Sequence, residues 1–357
     1  MSWTGVNVSA ADTHVRSSAT HYVGVVGAGS RLILSWANVI VYSAGINVTS
    51  TAGSYVGVLG SGCDSVSWSN VSVSTSLTKV SSTAADRVGV LGAGGGDGLT
   101  WTNVTVSASQ VEVTSTAGNF VGLLGAGSYA NLNCSNVNVS AAATNVTSTA
   151  YDGVGVLGAG SWSALSWSNV NVSTERANIT STANDRVGVV GAGSGTGLTW
   201  TKVTVSAAAT NVTSTAYDGV GVLGAGGWSA LSWTSVTVAA SQANVTSTAV
   251  HYVGVLGGGC GATMTWTDVT VFADVTSIAG NGVGVRRMSV NVSATLAKVT
   301  STANDRVGVL GAGSGNDLSW NNVTVSAAAT NVTSTADNYV GVLGAARCNG
   351  SVTWTNV

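Results

Sequence analysis

The sequence predicts an all-β fold: a right-handed parallel β-helix, a solenoid of about eleven 33-residue coils with three strands each. Three observations carry this. The phrase Trp-x-x-Val-x-Val recurs at Trp3, Trp36, Trp68, Trp101, Trp167, Trp200, Trp233, Trp266 and Trp320, and a last copy starts at Trp354. Cys134 and Arg287 fill the tryptophan slot in two further copies, and nearly every interval is 33 residues. Within each repeat, β-branched residues alternate with small or polar ones, which is the period of strands with one buried face. Turn-forming triplets such as Tyr151-Asp152-Gly153 and Gly118-Asn119-Phe120 punctuate the apolar phrases.

The first strand of each coil is the tryptophan segment, as in Leu99 to Ser107, with Leu, Trp and the two valines facing inward. The second is Asn-Val-Thr-Ser-Thr-Ala, as at Asn145 to Ala150; its valine points inward and its threonines outward. The third is Val-Gly-Val-Leu-Gly-Ala-Gly, as at Val154 to Gly160. With valines inward, its outer face is bare glycine backbone, open to close approach by another solenoid. No coil can bury its apolar face alone, so stability is a sum over stacked neighbours.

The whole chain, residues 1–357, reads as one solenoid that starts and stops inside repeats, so a piece of a longer array is expected. The coil at 266–287 is shortened by twelve residues. Its deletions are expected in turns and in the Leu-x-Trp entry, with Val275 as its second-strand valine and Val283 as its third. Arg286 and Arg287 stand there in place of Leu and Trp, making a local weak point. The rival architecture is a transmembrane β-barrel, which also alternates apolar and polar residues.

Composition narrows the function classes. Only 7% of residues are charged and the formal charge is -2, so the basic surface of a nucleic-acid binder is missing. Hydrophobic residues make up 45% of the chain, too many for a disordered segment. Proline is absent, which suits inner strands that hydrogen-bond on both sides. Ser, Thr and Asn on outward strand faces supply the wet surface in place of charge.

Four cysteines are present, and stacking argues against disulfides among them. Cys63, Cys260 and Cys348 fall near one turn column, with Cys260 and Cys348 separated by three coils, beyond disulfide reach. Cys134 behaves as a small buried apolar residue. Asp86, Asp152, Asp185, Asp218 and Asp305 share one turn and read as solvated turn residues; no cofactor or metal site is expected. The few His and Glu residues form no catalytic set.

Asn-x-Ser/Thr sequons recur, with Asn47, Asn103, Asn145, Asn178, Asn211, Asn244 and Asn331 as candidate glycosylation sites. On consecutive coils about 4.8 Å apart, bulky glycans do not all fit, and stacked asparagines also form hydrogen-bonded ladders. Thr147 and Thr149, Thr180 and Thr182, Thr213 and Thr215, and Thr246 and Thr248 repeat as Thr-x-Thr on successive coils. They form a candidate surface-binding array resembling the faces of ice-binding β-solenoids.

The combination of Trp-x-Asn-Val-x-Val-Ser, Asn-Val-Thr-Ser-Thr-Ala and Val-Gly-Val-Leu-Gly resembles the repetitive surface proteins of kinetoplastid flagellates, of the dispersed-gene-family and membrane-associated types. The resemblance implies a cell-surface glycoprotein with a pectin-lyase-like β-helix and supplies no catalytic residues. The function expected is a non-enzymatic extracellular repeat module acting as coat, spacer or adhesin. Glycans, host or neighbouring surface proteins, and further copies of the chain are the expected partners. The alternatives are a carbohydrate-active β-helix enzyme and an ice-binding solenoid.

Overall fold

A computed structural model describes the backbone except at residues 22, 184, 216–217, 228, 249–250, 255–257, 261–263, 279–285, 296–297, 309–311, 314–317, 329–330, 342–351 and 356–357. Side chains are described for residues 1–243, apart from 22, 87, 152–153, 184–186, 216–220 and 228, and for residues 268 and 269.

The chain is a parallel β-solenoid with a repeat of about 33 residues. Trp3 pairs with Trp36, Trp36 with Trp68 and Trp68 with Trp101. The same column continues through Cys134, Trp167, Trp200 and Trp233. Backbone pairing carries it on through Trp266, Arg287, Trp320 and Trp354. The well-described stack amounts to about seven turns, fewer than the eleven expected. Every described pairing near the core is parallel, whereas a membrane barrel is built from antiparallel strands.

One coil shows how the sequence makes each side. Its strands are Leu132–Ala142, Asn145–Thr149, Asp152–Gly155 and Ala159–Ser161. The expected third strand is therefore two short strands, with a bend at residues 156–158 between them. The first strand is also bent: its pairing runs from Ser135 to Val137 and skips Asn136, whose φ is 53°. Asn38, Asn70, Asn103 and Asn169 hold the same left-handed conformation at the same corner. Asparagine tolerates that region better than other residues with a Cβ. Gly5 fills the first position of this column. The Trp-x-Asn phrase thus encodes a corner.

Inside, the core is a set of axial columns. Trp36, Trp68, Trp101, Trp200 and Trp233 are almost fully buried, as are Val139, Val172 and Val205 in their own column. Adjacent indoles lie flat on one another, 4.9 Å apart for Trp3 and Trp36 and 4.8 Å for Trp36 and Trp68, with interplanar angles of 5° and 2°. The spacing is the strand repeat itself. Beyond the backbone ladders, the indoles meet by ring stacking and not by side-chain hydrogen bonds, because the buried Nε1 atoms of Trp36, Trp68, Trp101 and Trp200 have no hydrogen-bond partner. Cys134 interrupts the stack between Trp101 and Trp167 and leaves a cavity of about 10 Å³ beside it.

The glycine phrase corrects an expectation. Residues 154–161 are buried throughout, glycines included. A Cβ added to Gly155 would collide with the Ala126 backbone, and one added to Gly122 would collide with Ala93. The glycine face of each short strand is therefore covered by the Ala-Gly-Ser strand of the preceding coil, such as Ala126–Ser128. The column expected to lie open for another solenoid is filled by the chain's own backbone. Glycine is needed because two backbones meet there with no room for a side chain.

The shortened coil also departs from expectation. Val275 pairs with Ala243, not with the second-strand valine Val245, which pairs with Ser277. A register shift of one residue between Ala240 and Ala243 takes up one of the lost residues. Gly254 pairs directly with Gly308, and Gly258 with Ala312, so the glycine side closes across the short coil. Arg287 does take the tryptophan slot opposite Trp266, whereas Arg286 pairs with Thr265 between the Leu and Trp slots. Val283 lies outside the described residues.

Candidate functional site: the outward polar faces

The second strand places its residues by strict alternation. In Asn145–Thr149 the burial pattern is exposed, buried, exposed, buried, exposed. Val146 and Ser148 face the core, and Asn145, Thr147 and Thr149 face out. The same pattern holds in Asn178–Thr182 and Asn211–Thr215. Parallel pairing puts Thr147 beside Thr180 and Thr180 beside Thr213, and Thr149 beside Thr182 and Thr182 beside Thr215. The face extends toward the N-terminus through Thr116, Thr83 and Thr51. It is a two-column lattice of hydroxyl and methyl groups, spaced ~4.8 Å along the axis. Thr246 and Thr248 pair with Thr213 and Thr215, and their side chains lie outside the described residues.

Asparagines border this lattice. The Asn178 amide donates to Asn145 Oδ1 at 3.1 Å, and the Asn211 amide donates to Asn178 Oδ1 at 2.9 Å. Asn47 is exposed, beside His14 and Lys79 in the same column. Lys79 Nζ meets the Glu112 carboxylate at 3.0 Å, an exposed pair that adds little stability. Asn244 pairs with Asn211 and Asn331 with Lys298, with side chains outside the described residues.

A second ladder stands at the left-handed corner. Asn103 donates to Asn70 Oδ1 at 2.9 Å and accepts from Asn136 at 3.0 Å, and Asn169 donates to Asn136 Oδ1 at 2.8 Å. Asn103 is a sequon residue in sequence and a structural link in space. Replacing Asn136 by alanine removes both ladder bonds and loses asparagine's tolerance of positive φ. The expected cost is ~1–2 kcal/mol, and Asn136→Gly should cost less because it keeps the conformation free. Urea denaturation of the two variants checks the order.

Cys63 and Cys134 are buried free thiols. Cys63 and Cys260 do share one column, through Gly95, Ser128, Ser161, Ser194 and Gly227. Cys348 lies outside the described residues. Burial pushes the Cys63 thiol up from 9.0 to about 12, and burial also raises Cys134. The folded chain then keeps the Cys63 proton up to about pH 12 while the unfolded chain loses it near 9.0. This contribution to stability is intact below pH 9.0 and is lost as pH rises from there to about 12. Iodoacetamide at pH 9 should leave Cys63 and Cys134 unmodified in the folded chain and label both in urea, as read by peptide mass spectrometry.

In the aspartate turn, Asp86, Asn119, Asp152, Asp185 and Asp218 pair in one column, and the Asn119 amide donates to Asp86 Oδ1 at 2.8 Å. Asp305 pairs with Asn338, with its side chain outside the described residues. Among the described residues, no three His, Cys, Asp or Glu side chains come together as a metal site, and no helix is long and apolar enough to cross a membrane.

Fold and faces together define a class: a parallel β-solenoid repeat protein whose described exterior carries axial columns of hydroxyl and amide groups. No protein-family model, curated protein or solved structure matches the chain.

Proposed function

We propose that this chain is a non-enzymatic, extracellular repeat module that acts as a surface coat, spacer or adhesin and makes contact through an extended face. The observation that supports this reading is the exposed, in-register array of Thr147, Thr149, Thr180, Thr182, Thr213 and Thr215. A flat array held by parallel ladders presents many weak, identical contacts and no pocket. Such a face suits repetitive partners, namely glycans or surface proteins of a host or neighbouring cell, and its strength comes from multivalency. On this reading some outward sequons carry glycans, with Asn47 preferred over Asn103, which is tied into the corner ladder.

The test is attachment of the full chain to glycan arrays and to cell surfaces. Thr147→Lys, Thr180→Lys and Thr213→Lys together should abolish attachment while the circular dichroism stays that of a β-protein. Retained attachment would refute the assignment of this face. The same threonine lattice supports a second reading, ordering of water at an ice surface. Thermal hysteresis in the unmodified chain that disappears in the lysine variant would favour that reading over adhesion.

A further inference from the structure

A groove on the outside of the tryptophan strands, separate from the threonine lattice, has a volume of about 450 Å³. It is lined by Ser107, Ser140, Ser173 and Ser206. These four are register partners on successive coils and are half-buried. Ala142 and Glu175 stand beside them. Because its lining residues recur from coil to coil, the groove runs parallel to the solenoid axis. Glu175 is its one charged lining residue, and Arg176 Nε meets Glu175 Oε1 at 3.1 Å. Toward the N-terminus the serine column passes through Ser74 to Tyr42, whose ring is 45% exposed.

We infer that this groove binds a neutral, linear, β-linked hexopyranose chain. The groove offers one serine hydroxyl per coil, ~4.8 Å apart along a straight line, beside a column that runs Ser109, Ala142, Glu175, Ala208. An extended β-1,4-linked glycan advances by about one coil per sugar, so successive pyranoses, turned over alternately, each meet one hydroxyl of the serine column. Serine hydroxyls both donate and accept, matching sugar hydroxyls, and the alanine methyl groups suit the apolar C–H face of a pyranose. The lining is near neutral, because Arg176 offsets Glu175, which disfavours a polyanion. Tyr42 is an amphipathic ring at one end of the column, suited to stack a terminal sugar. The subsites are held by parallel ladders, so little ordering is needed on binding.

The inference does not depend on the threonine face. Calorimetry on the full chain would compare cellohexaose, cellobiose and hexagalacturonate. Cellohexaose should bind at least about tenfold more tightly than either of the others. Ser140→Phe fills the groove from its outer side and should lower cellohexaose affinity at least tenfold. Ser206→Lys does the same by a different side chain, in case the first variant misfolds, and Tyr42→Ala should weaken binding several-fold. The triple lysine variant of the threonine face should bind cellohexaose unchanged. The inference is overturned by undetectable cellohexaose binding, by equal affinity for dimer and hexamer, or by binding unaffected in a folded groove-filled variant.

Discussion

Trp200→Ala is expected to destabilise the chain by ~3–5 kcal/mol, the range for removing a large buried aromatic side chain. Trp200 is fully buried and stacked between Trp167 at 5.0 Å and Trp233 at 4.8 Å. Alanine removes both ring contacts and opens a void the width of an indole. The neighbouring coils cannot collapse into that void, because the ladders fix their spacing. Since each coil is stabilised only by its neighbours, the loss should split unfolding into two transitions, one on each side of the defect. Guanidinium denaturation followed by circular dichroism reads this directly. The comparison is Trp162→Ala, which removes an indole that is 38% exposed and outside the core column. A cost for Trp200→Ala no larger than for Trp162→Ala would contradict the stacked column.

Gly158→Ala should be about as damaging, although it adds a single methyl group. The new Cβ would collide with the Gly191 carbonyl oxygen of the next coil and with the Val190 backbone. Neither can move without breaking the ladder, so the expected cost is ~3 kcal/mol or more, at or above the upper end for core overpacking. Gly197→Ala is the matched control: the nearest atom to its Cβ is the Ala230 carbonyl oxygen at 3.9 Å, an ordinary contact. It should leave stability within ~0.5 kcal/mol of the parent. Thermal melts of the two variants decide the matter. Equal melting temperatures would mean that the glycine phrase lies on an open face after all.

The solenoid itself was legible because a fixed period and inward valines leave one way to bury every coil. The outward threonines were legible for the same reason, since strand alternation assigns Thr147 and Thr149 to the face opposite Val146. The corners were harder. Gly5 and Asn38 share a column, and both residue types tolerate positive φ, so that corner did leave a trace. A second corner is filled by Asp12, Gly45, Leu77, Gln110, Ala143 and Arg176, which carry no common signal. There the neighbouring coils impose the conformation. The glycine phrase misled because its alternation matches a half-buried strand, whereas its second face is covered by a short strand of the preceding coil. The groove escaped notice because serine on an outward column looks the same whether the surface is flat or concave. The shortened coil is hard to align by pattern because Val275 fits the valine spacing but lies two residues before Ser277, which takes the slot opposite Val245.

Residues 33 apart sit side by side in adjacent coils. Engineered cysteines at Thr149 and Thr182 test it, because these exposed positions pair directly at the strand spacing of ~4.8 Å, within disulfide reach. Oxidation followed by peptide mapping should recover the 149–182 crosslink in high yield. The 149–215 pair, two coils apart at ~9.6 Å, should give none. Efficient 149–215 crosslinking, or failure of the 149–182 pair in a folded chain, would contradict the stacked register.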